Sequence, residues 1–243
     1  METRTRVKLA YDRYAERIEE QGYRFNPVYV ASKALSDWIL LTTIDLTDKY
    51  VLNIGCAEPI DELQFVEKVK RWVAFDINEK LIQKAEQIAR RKLSSELFRK
   101  LQFIQGDATE IEFANNTFDI VVSFSTIEHL PGGEQRARVV HEMARVVKPG
   151  GHVIVTVPNR FSTFYFAHLR NIGLGISDYG YSYLYTPFEL KKLLKSTGLV
   201  PTRFVSEYSA LEYFPSVLPR GARRILRLLE FFGERIGWLC IKK

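Results

Sequence analysis

The chain has little of what several functional classes require. Two cysteines, Cys56 and Cys240, among 243 residues cannot build a disulfide framework, and their scarcity points to the reducing cytoplasm. The four histidines (His129, His141, His152 and His168) are scattered and form no metal-ligand spacing with the cysteines, so no metal site is expected. No apolar run approaches the roughly 20 residues that cross a bilayer. The opening METRTRVKLAYDRYAERIEE is charged throughout and has no signal-peptide core. Internal repeats and low-complexity tracts are absent. The formal charge of +6 is concentrated in one place: from Pro219 to Lys243 there are seven basic residues against two acidic ones. A basic protein raises the question of nucleic acid, but charge confined to one terminal segment does not describe a nucleic-acid face.

What the chain does have is five short segments in a fixed order. They are YVLNIGCAEP (50–59), RWVAFD (71–76), LQFIQGDA (101–108), FDIVVSFSTIEHL (118–130) and KPGGHVIVTVPN (148–159). Most are apolar runs of strand length ending in a small, acidic or polar residue. Continuous apolar runs are the mark of strands buried on both faces of a parallel sheet. Ligands bind such sheets beyond the carboxyl ends of the strands, so the polar residues gathered there mark a crevice. Between the segments lie helical patterns. NEKLIQKAEQIARRKL places Leu81, Ala85, Ile88 and Ala89 on one face, and GEQRARVVHEMARVV is a second helix, stopped by Pro149 and the Gly150–Gly151 pair. TPFELKKLLKSTGL carries Thr186 as N-cap, Pro187 at the first helical position and Glu189 completing a capping box. Alternating strands and helices imply βαβ units with right-handed crossovers. Residues 200–206 and 237–243 read as two further strands.

Several residues bear on ligand chemistry. Gly55 follows the first strand, and a residue without Cβ there lets a ligand approach the backbone; an ordinary tight turn is the alternative. Asp76 ends the second strand, where a carboxylate accepts hydrogen bonds from a ribose diol; the alternative is a helix cap. Asp107, after the third strand, is placed to accept from an adenine amine, with the Ala108 amide toward a ring nitrogen; again a cap is the alternative. Glu128 and His129 follow the fourth strand, where a histidine suits proton transfer; the two residues equally suit a purely shaping role.

Over residues 45–160 this order resembles the class I S-adenosylmethionine (SAM) dependent methyltransferases, in the branch acting on small molecules. Their first motif reads Asp-x-Gly-x-Gly-x-Gly; here it reads Asn53-Ile54-Gly55-Cys56-Ala57-Glu58-Pro59. The resemblance implies a Rossmann-like α/β fold, a mostly parallel seven-stranded sheet with helices on both faces and an antiparallel last strand. It implies SAM as cofactor and S-adenosyl-L-homocysteine (SAH) as product, held by Asn53, Gly55, Cys56, Ala57, Asp76, Ile77, Asp107, Ala108, Phe124 and Ser125. Glu128 and His129 are the candidate catalytic pair. One domain is expected over 1–243, with a helical cap at 1–45, a cofactor core at 46–159, an aromatic lid at 160–186 and C-terminal elements at 187–243. In the lid, Tyr165, His168, Tyr179, Tyr181 and Tyr183 are the candidate substrate contacts. Methyl transfer to a small molecule or a lipid- or glycan-linked precursor is the expected function. The altered first motif keeps a non-catalytic SAM-binding or partner-binding protein as an alternative. A nicotinamide oxidoreductase is a further alternative, against which Pro59 counts. Nucleic acid is not an expected substrate, since no Asn-Pro-Pro-aromatic motif follows the fourth strand. The segment LPRGARRILRLLEFFGERIG sets Ile225, Leu228, Leu229, Phe232 and Ile236 on one face, expected to be mainly buried. Its arginines suit weak peripheral contact with an anionic membrane.

Overall fold

The computed structural model describes residues 12, 16, 37–162, 181–206 and 229–243. Seven strands form one sheet in the order β3-β2-β1-β4-β5-β7-β6. They are β1 (Tyr50–Ile54), β2 (Arg71–Asp76), β3 (Leu101–Gln105), β4 (Phe118–Phe124), β5 (Val147–Pro158), β6 (Leu199–Ser206) and β7 (Arg235–Lys242). β1 through β5 pair in parallel, and β7 runs antiparallel to both β5 and β6. The helices are α1 (Ile60–Phe65), α2 (Glu79–Lys92), α3 (Ser95–Phe98), α4 (Gly133–Val146) and α5 (Pro187–Ser196).

Strand alternation sends successive side chains to opposite faces, and each face has its own core. Leu52, Ile54, Val121, Val153 and Val155 join Val139 and Met143 of α4 on one side. Val51, Val122, Ile154 and Trp72 join Phe65 of α1 and Ile39–Leu41, a helical stretch, on the other. This doubly covered sheet is the expected Rossmann-like fold. Its central position sets the carboxyl ends of β1, β2 and β4 side by side.

Local signals held in several places. Thr186 accepts from the Glu189 amide and Glu189 reaches back to the Thr186 amide, with Pro187 opening α5. In α2, Ile82 is buried beside Leu81, Ala85 and Ala89, whereas Ile88 lies at the edge of the stripe. α4 ends at Val146, three residues before Pro149, because Val147 already has extended backbone and opens β5.

The C-terminal segment departs from its expected pattern. Arg235 and Ile236 belong to β7, not to a helix, and both are buried. Leu229 and Phe232 are 41% and 47% exposed, contrary to the expected buried stripe. The backbone tightens into a 3-10 turn at Glu230–Phe232, and three residues per turn bring Phe231, not Phe232, onto Phe188 and Phe204. Ile225 and Leu228 lie outside the described residues, as do the arginines from 220 to 227.

Candidate active site

β1 ends in a tight loop over the end of β2. The Gly55 and Cys56 amides both donate to the Phe75 carbonyl, at 2.7 and 3.2 Å. Gly55 has φ +74°, and a Cβ there would lie 2.2 Å from both Thr126 Cγ2 and Oγ1. The open space at Gly55 is therefore taken by Thr126, whose hydroxyl donates to the Ile54 carbonyl at 3.1 Å. Ala57 also has positive φ, +41°, so alanine adopts here a conformation that favours glycine. Its amide donates to Asp76 Oδ2 at 3.0 Å. Pro59 is the N-cap of α1 and its carbonyl accepts from Leu63.

Asp76 is buried at the end of β2 and accepts from the Ala57 and Asn78 amides. Burial raises its pKa, against the amides of Asn78, Ala57 and Ile77, which lower it. The cap of α2 is Asn78 itself, whose side chain accepts from the Leu81 amide, so Asp76 is not the cap. Each carboxylate oxygen spends one acceptor position on the amides, and a carboxylate offers about four; the rest suit a diol. Asp107 Oδ1 accepts from the Thr109 amide and hydroxyl, both at 2.8 Å, which is the turn-capping alternative. Gly106 packs against the Phe75 ring, where a Cβ would approach to 2.4 Å. Ala108 is half-buried against the core. Asn78 Nδ2 donates to Asp12 and Lys80 pairs with Glu16 at 3.0 Å. Two helical residues one turn apart thus dock beside Asp76.

Below the loop, Asn53 Nδ2 donates to Glu62 Oε1 at 2.8 Å, and Trp72 Nε1 donates to the same oxygen at 3.1 Å. Asn53 Oδ1 is buried and has no hydrogen-bond partner among the described residues. The buried orphan acceptor of Asn53 fits a ligand carrying donors.

On the acceptor side, Phe124 is buried and Ser125 has φ +53°. Glu128 and His129 lie in a 3-10 turn, 1% and 8% exposed. Burial raises the Glu128 pKa, against His129, Arg235 and Ser125, which lower it. His129 Nδ1 is 3.0 Å from the Tyr181 carbonyl. A carbonyl only accepts, so Nδ1 carries the proton and Nε2, 3.8 Å from Glu128 Oε1, is left as the acceptor. The Tyr183 amide donates to the Glu128 carbonyl. The backbone of Tyr181 and Tyr183 therefore lies against His129 and Glu128; Tyr165, His168 and Tyr179 lie outside the described residues. The 181–185 strand-like run has no wholly wet face, because Leu184 and Tyr185 are both buried.

Several residues of this region carried no sequence signal. Arg136 of α4 donates to the Leu130 carbonyl and lies 4.1 Å over the Tyr183 ring. Arg235 donates to Thr156 Oγ1 at 2.8 Å and faces Asp37 at 3.8 Å, all of them buried. Glu62 sits three residues before Phe65 on the inward face of α1, and an acid on an apolar stripe is the only hint that could have found it.

The family model of the methyltransferase domain matches residues 52–155. The ubiquinone biosynthesis O-methyltransferase of Aliivibrio fischeri is 27% identical over 183 residues, covering 72% of this chain and 74% of its own. The ubiquinone/menaquinone biosynthesis C-methyltransferase UbiE of Coxiella burnetii is 42% identical over 67 residues, covering 27% of this chain and 25% of its own. The N-methyltransferase NodS of Bradyrhizobium japonicum, solved in complex with SAH, has the same fold, with TM-score 0.66 at 15% identity over 97% of this chain and 98% of that one. Residues 52–155 match a methyltransferase domain, and the sheet carries the class I methyltransferase fold. The protein is an enzyme of methyl transfer and uses SAM as cofactor.

Proposed function

We propose that the protein O-methylates a small or lipid-linked biosynthetic precursor, with His129 as the proton acceptor. The observation that carries this is the bond from His129 Nδ1 to the Tyr181 carbonyl, which fixes the tautomer and turns Nε2 into an acceptor. When bound, the cofactor supplies a methyl group activated on a sulfonium. Asp76 and the Gly55–Ala57 loop would hold its ribose end, and Gly106 to Ala108 would meet its adenine. An acceptor hydroxyl placed before His129 would give its proton to Nε2, the ring nitrogen left as acceptor by the bond from Nδ1 to the Tyr181 carbonyl. Glu128, kept toward its neutral form by burial, avoids a full negative charge next to the departing proton. Asp12 and Glu16, bonded to Asn78 and Lys80, and the residues Tyr181 to Tyr183 close the crevice against water. An oxygen acceptor agrees with the O-methyltransferase activity of the relative matched over 72% of the chain, whereas the C-methyltransferase likeness covers 27%.

SAH release from a panel of phenol, amine and carbon acids tests the proposal. Phenols should turn over, and His129→Gln should cut kcat by about 10²–10⁴ while leaving the SAH Kd unchanged. Amine-only turnover, or an unaffected His129→Gln, would rule it out. Peripheral membrane contact belongs to the same reading. Among the described residues no helix is long and apolar enough to cross a membrane, but Leu229 and Phe232 are exposed directly after the basic segment. Sedimentation with anionic vesicles at low salt, lost at high salt, is expected.

A further inference from the structure

Asn53 stands where the family's first motif carries aspartate, and taken alone it removes a negative charge from beneath the cofactor loop. The structure holds a carboxylate from another element against the Asn53 carboxamide. Glu62 is 0% exposed and its Oε1 accepts from Asn53 and Trp72 at 2.8 and 3.1 Å. Two N–H donors converge on that one oxygen. An aspartate at 53 would set two carboxylates against each other at that distance, and one would have to keep a proton. Asparagine is therefore what residue 53 must be when residue 62 is glutamate. The carboxamide also has two ends. Its Nδ2 faces the Glu62 carboxylate, and its Oδ1 is buried with no hydrogen-bond partner among the described residues. A carboxylate pulling on one end of an amide strengthens the other end as an acceptor.

We propose that Glu62, acting through Asn53, supplies the negative charge that holds the α-ammonium of the cofactor's methionyl end. Glu62 is a positioning residue, and the acid has moved from the strand to the first turn of α1 without leaving the site. The first motif is transposed, not degenerate. The inference rests on the cofactor assignment and is independent of which acceptor is methylated.

The test compares SAH with 5′-methylthioadenosine, which keeps the adenine and ribose but has no amino-acid group. Glu62→Gln keeps the acceptor oxygen for Asn53 and Trp72 and removes only the charge. It should weaken SAH about tenfold, the scale of one charge-assisted interaction, and leave methylthioadenosine within about twofold. Asn53→Asp with Glu62→Gln returns the charge to the strand and should restore SAH binding to within about threefold. Asn53→Asp alone should lower the Tm, because two buried carboxylates then meet. Equal weakening of both ligands by Glu62→Gln, or no weakening of either, would overturn the proposal. If Glu62→Gln does not fold, the double variant decides: a wild-type ratio of the two Kd values supports the transposition, and a ratio shifted about tenfold overturns it. A wild-type protein that binds neither ligand would remove the cofactor assignment itself, and this inference with it.

Discussion

Gly55→Ala offers a sharp test of how the cofactor loop is built. The new Cβ would lie 2.2 Å from Thr126 Cγ2 and Oγ1 and 2.7 Å from Thr126 Cβ. None of these contacts is the far end of a flexible side chain. The residue would also keep φ near +74°, which costs an alanine about 1–2 kcal/mol. Forced overpacking adds about 1–3 kcal/mol, giving roughly 2–5 kcal/mol in all. For a chain of this size that is a fall in Tm of roughly 5–20 °C, a large share of a typical stability of about 5–15 kcal/mol. Thr126→Ala alone should cost about 0.5–1.5 kcal/mol, since the hydroxyl loses its bond to the Ile54 carbonyl. In the double variant two of the three close contacts disappear, so it should be about 1–2 kcal/mol more stable than the sum of the singles. Urea titration followed by circular dichroism reads all three, with m unchanged. Additive losses, within about 0.5 kcal/mol, would show that Thr126 does not fill the space over Gly55 and that the ligand-approach reading of this glycine is the better one.

Other outcomes follow from the same geometry. Asp76→Ala should weaken SAM and SAH roughly 10- to 100-fold by calorimetry, the loss of about 1.5–3 kcal/mol of charge-assisted bonding; unchanged affinity would limit Asp76 to holding the Ala57 and Asn78 amides. Glu128 has its pKa raised by burial. Its contribution to stability is thus fully present below the unfolded glutamate value of about 4.3 and is lost as pH rises through the folded value. Glu128→Gln should therefore have a higher Tm than wild type at pH 8 and converge with it near pH 4. A Tm difference independent of pH would contradict the assignment of burial as the cause.

Much of this was legible because it is local. The five strand ends, the Thr186–Glu189 capping box and the placement of Asp76 all follow from short-range pattern, and the parallel pairing follows from βαβ logic. What escaped is long-range pairing. Glu62 meets Asn53 only because α1 folds back under β1. Thr126 meets Gly55 across two strands. Arg235 reads as one more charge in a basic run, yet β7 carries it to Thr156 and Asp37 in the interior. The exposed Phe232 escaped for another reason: one 3-10 turn changes the period, and a stripe read at 3.6 residues then selects the wrong phenylalanine.

The central claim is that the crevice of Gly55, Asp76 and Gly106 binds SAM. Calorimetric titration of the purified protein with SAH and, separately, with NAD tests it most directly. The account predicts saturable one-to-one binding of SAH and no binding of NAD; preferential binding of NAD, or no heat with SAH, would contradict it.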